Sequence, residues 1–325
     1  MKKHNYFITG GTGSFGKEFV INLLKNKMAN KIIIFSRDEF KQLKLKENEI
    51  ISQNLKNIRF FIGDVRDYNR LNSALQNNID ILVHAAALKQ VPATEYNPFE
   101  TVKTNVIGAQ NVIEAAINNN VKKVLALSTD KACAPINLYG ATKLTSDKLF
   151  INANIIKGRN KTIFSVVRYG NVLGSRGSVV PIFLKQKNKK FFTVTDKKMT
   201  RFNISLPYAA NFVINCLKKM KGEEIFIPKI PSYNIIDVVK AINPKPNIKI
   251  IGIRPGEKIH EEMISQNDSY STLELKNYYI IYPTYKKIKS NVKEGFSYSS
   301  GKNSNFLTPK EIKEEISKFL HTFEV

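Results

Sequence analysis

The sequence predicts an α/β fold, with a doubly wound parallel sheet in its first half and a smaller lobe in its second half. Short apolar runs rich in β-branched residues alternate with amphipathic helical patterns, and the first run enters a glycine-rich loop. This alternation is typical of buried parallel strands joined by right-handed crossovers. It stops near residue 171, after which prolines mark irregular connections. We therefore expect one domain over 1–170, and over 171–325 mainly a second lobe, with some segments returning to the first.

The predicted elements follow from the period of the apolar residues. Runs of four to eight apolar residues predict buried strands, which we place at 5–9, 31–36, 58–63, 81–85, 124–128 and 163–168. Apolar residues at helical spacing predict helices at 17–26, 68–77, 101–118 and 142–156. No run reaches the roughly 20 apolar residues of a membrane-spanning helix, so no membrane association is expected.

The composition restricts the partners. Lys and Arg number 51 against 27 Asp and Glu, a formal net charge of +24, which favours a nucleic acid, an anionic membrane or a phosphorylated ligand. Only nine of these residues are arginine, and the lysines are scattered instead of forming one stripe, so we expect no nucleic-acid partner. The two cysteines, Cys133 and Cys216, are too few for a disulfide framework or a zinc cluster. A reducing, cytoplasmic location and no metal are the economical expectations.

The loop after the first predicted strand carries glycines at G-x-x-G-x-x-G spacing. Such glycines permit a tight turn, let backbone N–H groups approach a pyrophosphate, and let the following helix pack closely. A P-loop is the alternative, but Glu18 stands where that loop needs a magnesium-binding hydroxyl. We therefore predict a Rossmann-type dinucleotide site whose loop contacts are Gly10, Thr12, Gly13, Ser14, Phe15 and Gly16.

The end of the second predicted strand indicates which dinucleotide binds. A carboxylate at this point favours NAD, whereas an arginine can accept the 2′-phosphate of NADP. Ser36 followed by Arg37 therefore favours NADP, the alternative being that Arg37 pairs with a surface acid. Further predicted cofactor contacts, from this strand end and from the ends of the next two strands, are Asp38, Glu39, Phe40, Lys41, Asp64, Val65, Ala85 and Ala86.

Tyr139 and Lys143 form the predicted redox pair. They are four residues apart, so on a helix they share one face. Lowering a tyrosine pKa from about 10 toward neutrality needs roughly 4 kcal/mol, which Lys143 and a positively charged nicotinamide would supply. An exposed helical Tyr and Lys is the alternative. The position downstream of a nucleotide loop and of Ser128 and Thr129 favours the catalytic interpretation.

These residues resemble the extended short-chain dehydrogenase/reductase family that acts on nucleotide sugars. Within it the chain is similar to the inverting 4,6-dehydratases of UDP-N-acetylglucosamine, in the blocks 128–132, 135–143, 168–172, 174–181, 199–202 and 253–258. The resemblance implies NADP as cofactor, UDP-N-acetylglucosamine as substrate and a place in pseudaminic acid biosynthesis. It also implies a homo-oligomer, either a dimer or a hexamer. Cys133 departs from the small residue usual there. We expect the fold to tolerate it, the alternative being a thiol-sensitive enzyme.

The resemblance also implies roles for individual residues. Tyr139 would deprotonate the sugar O4, Lys131 would remove the C5 proton, and Asp130 would protonate the departing C6 hydroxyl. A lysine in a dry cationic pocket can lose its proton near neutral pH. Thr129 and Lys143 complete the catalytic set. The matching substrate positions are Lys89, which also lies near the cofactor, Asn171, Val179, Thr195, Met199, Arg201, Arg254 and Glu257.

The resemblance also implies how the diphosphate is bound, and it leaves other functions open. Arg201 and Arg254 would grip the diphosphate bidentately. The alternatives are a UDP-sugar 4-epimerase, a retaining 4,6-dehydratase and, outside catalysis, a redox-sensing dinucleotide-binding regulator.

Overall fold

A computed structural model describes residues 3–173 and 179–319, so part of the 174–181 block, 174–178, lies outside the described residues. The strands are β1 His4–Thr9, β2 Ala29–Ser36, β3 Ile58–Ile62, β4 Ile81–His84, β5 Lys123–Thr129, β6 Ile163–Tyr169, β7 Phe192–Val194, β8 Thr200–Phe202, β9 Ile225–Pro228, β10 Ser232–Asn234, β11 Ile248–Ile250, β12 Glu262–Ile264, β13 Thr272–Glu274, β14 Tyr278–Ile281 and β15 Tyr298–Ser299. The helices are α1 Ser14–Lys25, α2 Glu39–Lys46, α3 Glu49–Ser52, α4 Tyr68–Leu75, α5 Val91–Tyr96, α6 Pro98–Val102, α7 Gly108–Asn118, α8 Leu138–Ile156, α9 Val179–Gln186, α10 Leu206–Lys219, α11 Ile235–Ile242 and α12 Pro309–Phe319.

A nine-stranded sheet forms the centre of the molecule, in the order β3-β2-β1-β4-β5-β6-β9-β14-β13. The strands from β3 to β9 are parallel, and β14 and β13 add an antiparallel edge. The order turns back between β1 and β4, which is the crevice where doubly wound sheets bind ligands. The predicted α/β fold with a parallel sheet is confirmed.

All six predicted strands are present, each within two residues of its expected ends. Three predicted helices differ. α1 begins at Ser14, three residues before its expected start. α8 begins at Leu138 because the Asn137 side chain caps it, accepting a hydrogen bond from the Gly140 N–H at 2.8 Å. The helix predicted over 101–118 is broken by a π-helical turn at Lys103–Ile107. Within that turn Asn105 exchanges two hydrogen bonds of 2.9 Å with the backbone of Leu88, which anchors the segment following β4.

Residues after 170 contribute to two different hydrophobic clusters. β9 and β14 join the main cluster around the central sheet. A second cluster, which includes Leu173, Phe183, Val238 and Ile316, packs α9, α11 and α12 together with β7. Three two-stranded sheets, β8 with β10, β7 with β11 and β12 with β15, lie outside the central sheet. Among the described residues, no helix is both long and apolar enough to cross a membrane.

Candidate active site

The glycine loop lies against the segment that follows β4. Gly10 has a φ of +66°, and a Cβ there would lie 2.8 Å from the Ala86 nitrogen. A Cβ at Gly16 would lie 2.5 Å from the Cα of Gly11. Helix α1 starts directly after Gly13 with no side-chain cap and no acidic residue in its first turn. Its N–H groups and its dipole therefore suit a pyrophosphate, and the loop fits a dinucleotide.

The segment after β4 completes the crevice. The Ala85 and Ala86 N–H groups approach Thr9 Oγ1 at 3.2 and 3.3 Å, and His84 Nδ1 lies 2.8 Å from the same hydroxyl. His84 is buried, and burial followed by the charge of Lys143 lowers its pKa to about 3. Lys89 is exposed at the end of this segment. His84 is therefore a neutral packing residue that fixes the crevice wall.

Several predicted cofactor residues at the end of β2 form hydrogen bonds and an ion pair within the chain. Asp38 caps α2 by accepting a hydrogen bond from the Lys41 N–H at 2.9 Å, and Ser36 Oγ accepts one from Gln42 at 3.0 Å. Arg37, with a side chain 52% exposed, lies 3.5 Å from Asp64. The pairing of Arg37 with an acid, the alternative left open by the sequence, is thus present. Its exposure still leaves the guanidinium accessible to a ligand.

Other predicted cofactor residues surround this strand end. Glu39 and Phe40 are exposed in the first turn of α2, and Val65 is buried beneath Gly108. Burial would raise the pKa of Asp64, but Arg66 and Arg37 lower it overall. Asp64 is therefore ionised and holds both arginines at the edge of the crevice.

Helix α8 presents Tyr139, Lys143 and Asp147 at intervals of four residues, so all three lie on one face. All are buried. Burial raises the pKa of Tyr139 to about 12, opposed by the charge of Lys131 and a hydrogen bond with Thr129. Burial lowers the pKa of Lys143, opposed by Asp147. In the chain alone, the cation that opposes the rise of the tyrosine pKa is Lys131. That Lys143 and a bound nicotinamide together lower this pKa stays a prediction.

Asp147 extends the predicted pair into a buried network. Its Oδ2 accepts hydrogen bonds from Ser128 Oγ at 2.7 Å and from Arg168 Nη2 at 3.2 Å. Arg168 also donates to the Met263 carbonyl at 3.0 Å. Sequence reasoning missed this aspartate, although its position four residues after Lys143 was the available signal. The network ties α8 to β5, β6 and β12.

The Asp130–Lys131 pair lies at the carboxyl end of β5. Asp130 Oδ1 accepts hydrogen bonds from Thr129 Oγ1 at 2.9 Å and from Lys131 Nζ at 3.1 Å. Lys131 Nζ also lies 3.3 Å from the buried carboxylate of Glu261. Sequence reasoning missed Glu261 because it is 130 positions away from Lys131 along the chain.

The electrostatics of this pair differ from the expectation. Burial raises the pKa of Asp130 despite the charge of Lys131, which favours the protonated acid. Burial alone would lower the pKa of Lys131, but Asp130 and Glu261 more than offset this and raise it. The expectation of a cationic pocket around Lys131 is thus wrong, because two carboxylates face its ammonium. The charge of Arg201 acts in the opposite direction and lowers the pKa of Lys131.

Helix α8 and the turn carrying Lys131 are in close contact. A Cβ at Gly140 would collide with the carbonyl oxygen of Lys131, so only glycine allows this approach. Two bonds bring the 254–258 loop to the same place: Asn137 donates to the Gly256 carbonyl at 2.8 Å, and Lys258 donates to the Cys133 carbonyl at 2.7 Å. The acid–base pair, the tyrosine and this loop therefore form one site.

Buried acceptors without partners mark the wall of the site. Asn171 Oδ1, Asp130 Oδ2 and Glu257 Oε2 are buried and have no hydrogen-bond partner among the described residues. Buried polar atoms are otherwise almost always satisfied, so these atoms suit a ligand rich in hydroxyl groups. Thr195 Oγ1 donates to the Met199 sulfur at 3.2 Å, and Val179 is half-buried at the start of α9. Thr195 and Met199 are both buried, and contact of these predicted residues with a substrate stays a prediction.

The two predicted diphosphate arginines differ in environment. Arg201 is buried, and its Nη1 already donates to the carbonyls of Thr200 at 2.7 Å and Ile259 at 3.1 Å. A bidentate grip by Arg201 is therefore wrong for this arrangement. Arg254 is 59% exposed and forms an ion pair with Glu257 at 2.9 Å, so its guanidinium can reach a phosphate.

Cys133 does not have the environment of a reactive thiol. It is buried behind the Asp130–Lys131 turn, and burial raises its pKa to about 12. A thiolate is the reactive form, so this environment favours the expected tolerance of Cys133 over the alternative of thiol sensitivity. Within the described ranges no cluster of His, Cys, Asp or Glu could hold a metal ion.

Known proteins match this arrangement over most of the chain. The family model described as polysaccharide biosynthesis protein matches residues 6–283. A UDP-N-acetylglucosamine 4,6-dehydratase (inverting) of Campylobacter jejuni serotype O:2 is 53% identical, covering 97% of this chain and 98% of the relative. A UDP-glucose 4-epimerase of Rickettsia bellii is 45% identical, covering 84% of this chain and 81% of the relative.

Solved structures agree with the fold. The X-ray structure of Pen from Bacillus thuringiensis is 40% identical with a TM-score of 0.89, covering 98% of each chain. DesIV of Streptomyces venezuelae, a dTDP-glucose 4,6-dehydratase solved with NAD and TYD, is 19% identical with a TM-score of 0.69, covering 78% of this chain and 86% of that one. The chain therefore belongs to the polysaccharide biosynthesis protein family of extended short-chain dehydrogenase/reductases.

Proposed function

We propose that this protein is a UDP-N-acetylglucosamine 4,6-dehydratase that inverts C5 and uses NADP. The observation that carries the proposal is the position of Asp130 and Lys131, which lie beside Tyr139 at the end of β5. An epimerase needs only the redox tyrosine. Elimination of water next to a ketone also needs a base and an acid at the sugar. The relative from Campylobacter, which covers nearly the whole chain, supports this activity.

The site residues move protons at three atoms of the sugar. When bound, the nicotinamide reversibly accepts hydride. Tyr139 takes the proton of the O4 hydroxyl as C4 becomes a ketone, which acidifies the C5–H bond. Lys131, as a neutral amine, takes the C5 proton. Asp130, whose pKa is raised by burial, donates a proton to the C6 hydroxyl, which leaves as water.

The remaining steps complete the product. Hydride returns to C6, and C5 is reprotonated from the opposite face. The product is UDP-2-acetamido-2,6-dideoxy-β-L-arabino-hex-4-ulose, which suits the first step of pseudaminic acid biosynthesis. Lys131 can act as the base only when the proton of the pair lies on Asp130. Asp130 and Glu261 raise the pKa of Lys131 and so favour the proton on the lysine. The rate of dehydration is expected to fall at high pH, where the pair loses this proton and Asp130 can no longer act as the acid.

The two parts of the chain bind different ligands in the proposed reaction. Residues 1–170 supply the glycine loop, Arg37 at the ribose and the Ala85–Ala86 wall. Residues 171–325 mainly supply the sugar site, in which Asn171, Glu257 and Arg254 contact the substrate. The choice of NADP over NAD rests on the exposed guanidinium of Arg37. Lys89 is assigned to both ligands.

The protein is also proposed to be a homo-oligomer, either a dimer or a hexamer. Large apolar side chains are exposed on α5 and α6 and on the adjoining π-helical turn, namely Tyr96, Phe99 and Ile107. Light scattering coupled to size-exclusion chromatography measures this state directly. A mass of one chain, 36.9 kDa, would contradict the proposal.

The function is tested by incubating the protein with UDP-N-acetylglucosamine in deuterated water and following the sugar by proton NMR and mass spectrometry. The proposal expects loss of water, a new C6 methyl group, deuterium at C5 and the L-arabino configuration. Retention of the original C5 configuration would indicate a retaining dehydratase. An unchanged mass with an inverted C4 would show a 4-epimerase, the activity named for the Rickettsia relative. No reaction would favour a redox-sensing regulator.

A further inference from the structure

Glu261 is a buried carboxylate beside Lys131 that neither the motif nor the proposed chemistry uses. Its Oε1 lies 3.3 Å from Lys131 Nζ and 3.8 Å from Arg201 Nε. The side chain is almost completely buried, whereas that of Lys131 is 22% exposed. Glu261 Oε2 is buried and has no hydrogen-bond partner among the described residues. The carboxylate is therefore oriented toward the two cations through Oε1.

The backbone of Glu261 is held in a fixed position. Its N–H donates to Ser300 Oγ at 2.9 Å, and its carbonyl accepts from the Ser300 N–H at 2.8 Å. Ser300 Oγ lies 2.8 Å from Thr200 Oγ1, which in turn lies 2.8 Å from His260 Nδ1. Since Thr200 precedes Arg201, the same clamp fixes both groups that face Lys131 from this side.

Groups on five segments face Lys131. Asp130 lies on its own turn, Glu261 precedes β12, and Arg201 lies on β8. The rings of Tyr139 on α8 and Tyr233 on β10 also interact with its charge. Only two of these groups are carboxylates, and one of them, Asp130, is proposed to act as the acid.

We propose that Glu261 is a positioning residue that holds the Lys131 ammonium beside Asp130 and controls how readily this ammonium passes its proton to Asp130. The inference rests on the proposed role of Lys131 as the base at C5. Burial would raise the pKa of Glu261, but Lys131, Arg201 and Lys258 lower it, so the carboxylate is ionised at neutral pH. An anion at this distance stabilises the charged amine, and removing the anion makes deprotonation easier.

Glu261→Gln is the direct test, because the amide keeps an oxygen acceptor and loses only the charge. We measure kcat and KM for UDP-N-acetylglucosamine against pH, following water loss by mass. Removing the anion favours the form in which the proton lies on Asp130 and the amine is neutral, so kcat at neutral pH is expected to rise by up to about tenfold, with little change in KM. The fall of kcat at high pH is expected to move to lower pH by about 1 unit. A kcat and a pH profile that both stay at the wild-type values would overturn the proposal.

Three further variants separate the possible causes. Glu262→Gln removes the same charge one residue away and is expected to leave the profile unchanged. Glu261→Asp keeps the charge but shortens the reach, so it is expected to lower kcat with a smaller shift in pH; a profile identical to the wild type would count against positioning. Lys131→Met is expected to abolish water loss. If it does not, the proposed role of Lys131 has failed, whatever Glu261→Gln shows.

Discussion

Two lysines in this site, Lys143 and Lys131, differ in what surrounds them. Lys143 faces one carboxylate, Asp147, which already binds Arg168, and burial lowers the lysine pKa. Lys131 faces Asp130 and Glu261, and their charges raise its pKa in spite of burial. The pKa of a lysine is therefore lowered at one position of the site and raised at another. Two facing carboxylates outweigh burial at Lys131, whereas the single carboxylate at Lys143 does not outweigh it.

The two lysines also differ in how the chain assembles their surroundings. Tyr139, Lys143 and Asp147 come from a single helix, so their spacing places them together. The surroundings of Lys131 come from the end of β5, from β8 and from the residue before β12. In the proposed reaction, the helix supplies the group that exchanges a proton with O4, and the assembled cluster supplies the base for the C5 proton.

The largest effect on activity is expected from a substitution at Asp130, one of the two carboxylates that face Lys131. Asp130→Asn keeps the shape of the side chain but removes the acid that protonates the C6 hydroxyl. Positioned acid–base groups contribute about 10²–10⁴-fold, so water loss should fall by about that factor while C4 oxidation continues. Rates of both steps, from mass spectrometry and from nicotinamide absorbance, check this.

Asp237→Asn serves as the control, since this carboxylate pairs with Lys240 on α11 and is not assigned to the site. It should behave as the wild type. A variant Asp130→Asn that dehydrates at the wild-type rate would show that Asp130 is not the acid.

The sequence was sufficient for the part of the site that depends on local spacing. The glycine loop, the six parallel strands and the Tyr139–Lys143 face were predictable because each is encoded over a few residues. Glu261 was not, because no local pattern links it to Lys131. The direction of the Lys131 pKa was missed for the same reason. The buried position of Arg201 depends on carbonyls of Thr200 and Ile259 that only the folded chain brings together.

A second variant sharpens the comparison on the Lys143 side. Asp147→Asn leaves the buried Arg168 without an ionised partner, so the free energy of unfolding should fall by about 3 kcal/mol. Ser128→Ala removes only the 2.7 Å hydrogen bond to Asp147 and should cost about 1 kcal/mol. Denaturant titrations measure both. Equal losses in the two variants would show that the Arg168 ion pair carries no special weight.

A smaller effect is expected at the cofactor. Arg37→Ala removes the exposed guanidinium proposed to meet the 2′-phosphate, so NADP binding should weaken about tenfold, with NAD binding little changed. Calorimetric titration with each dinucleotide measures the ratio of the two affinities. Lys44→Ala, on the exposed face of α2, is the control. An unchanged ratio in Arg37→Ala would remove the basis for choosing NADP.

The most direct test of the division between the two lysines is a single-turnover experiment on Lys131→Met and Lys143→Met with UDP-N-acetylglucosamine. Absorbance reports reduction of the nicotinamide, mass reports loss of water, and thermal unfolding shows that both variants are folded. The expected result is that Lys131→Met accumulates reduced nicotinamide without losing water, whereas Lys143→Met does neither at an appreciable rate. Release of dehydrated sugar by Lys131→Met, or the same block in both variants, would contradict separate roles for the two lysines.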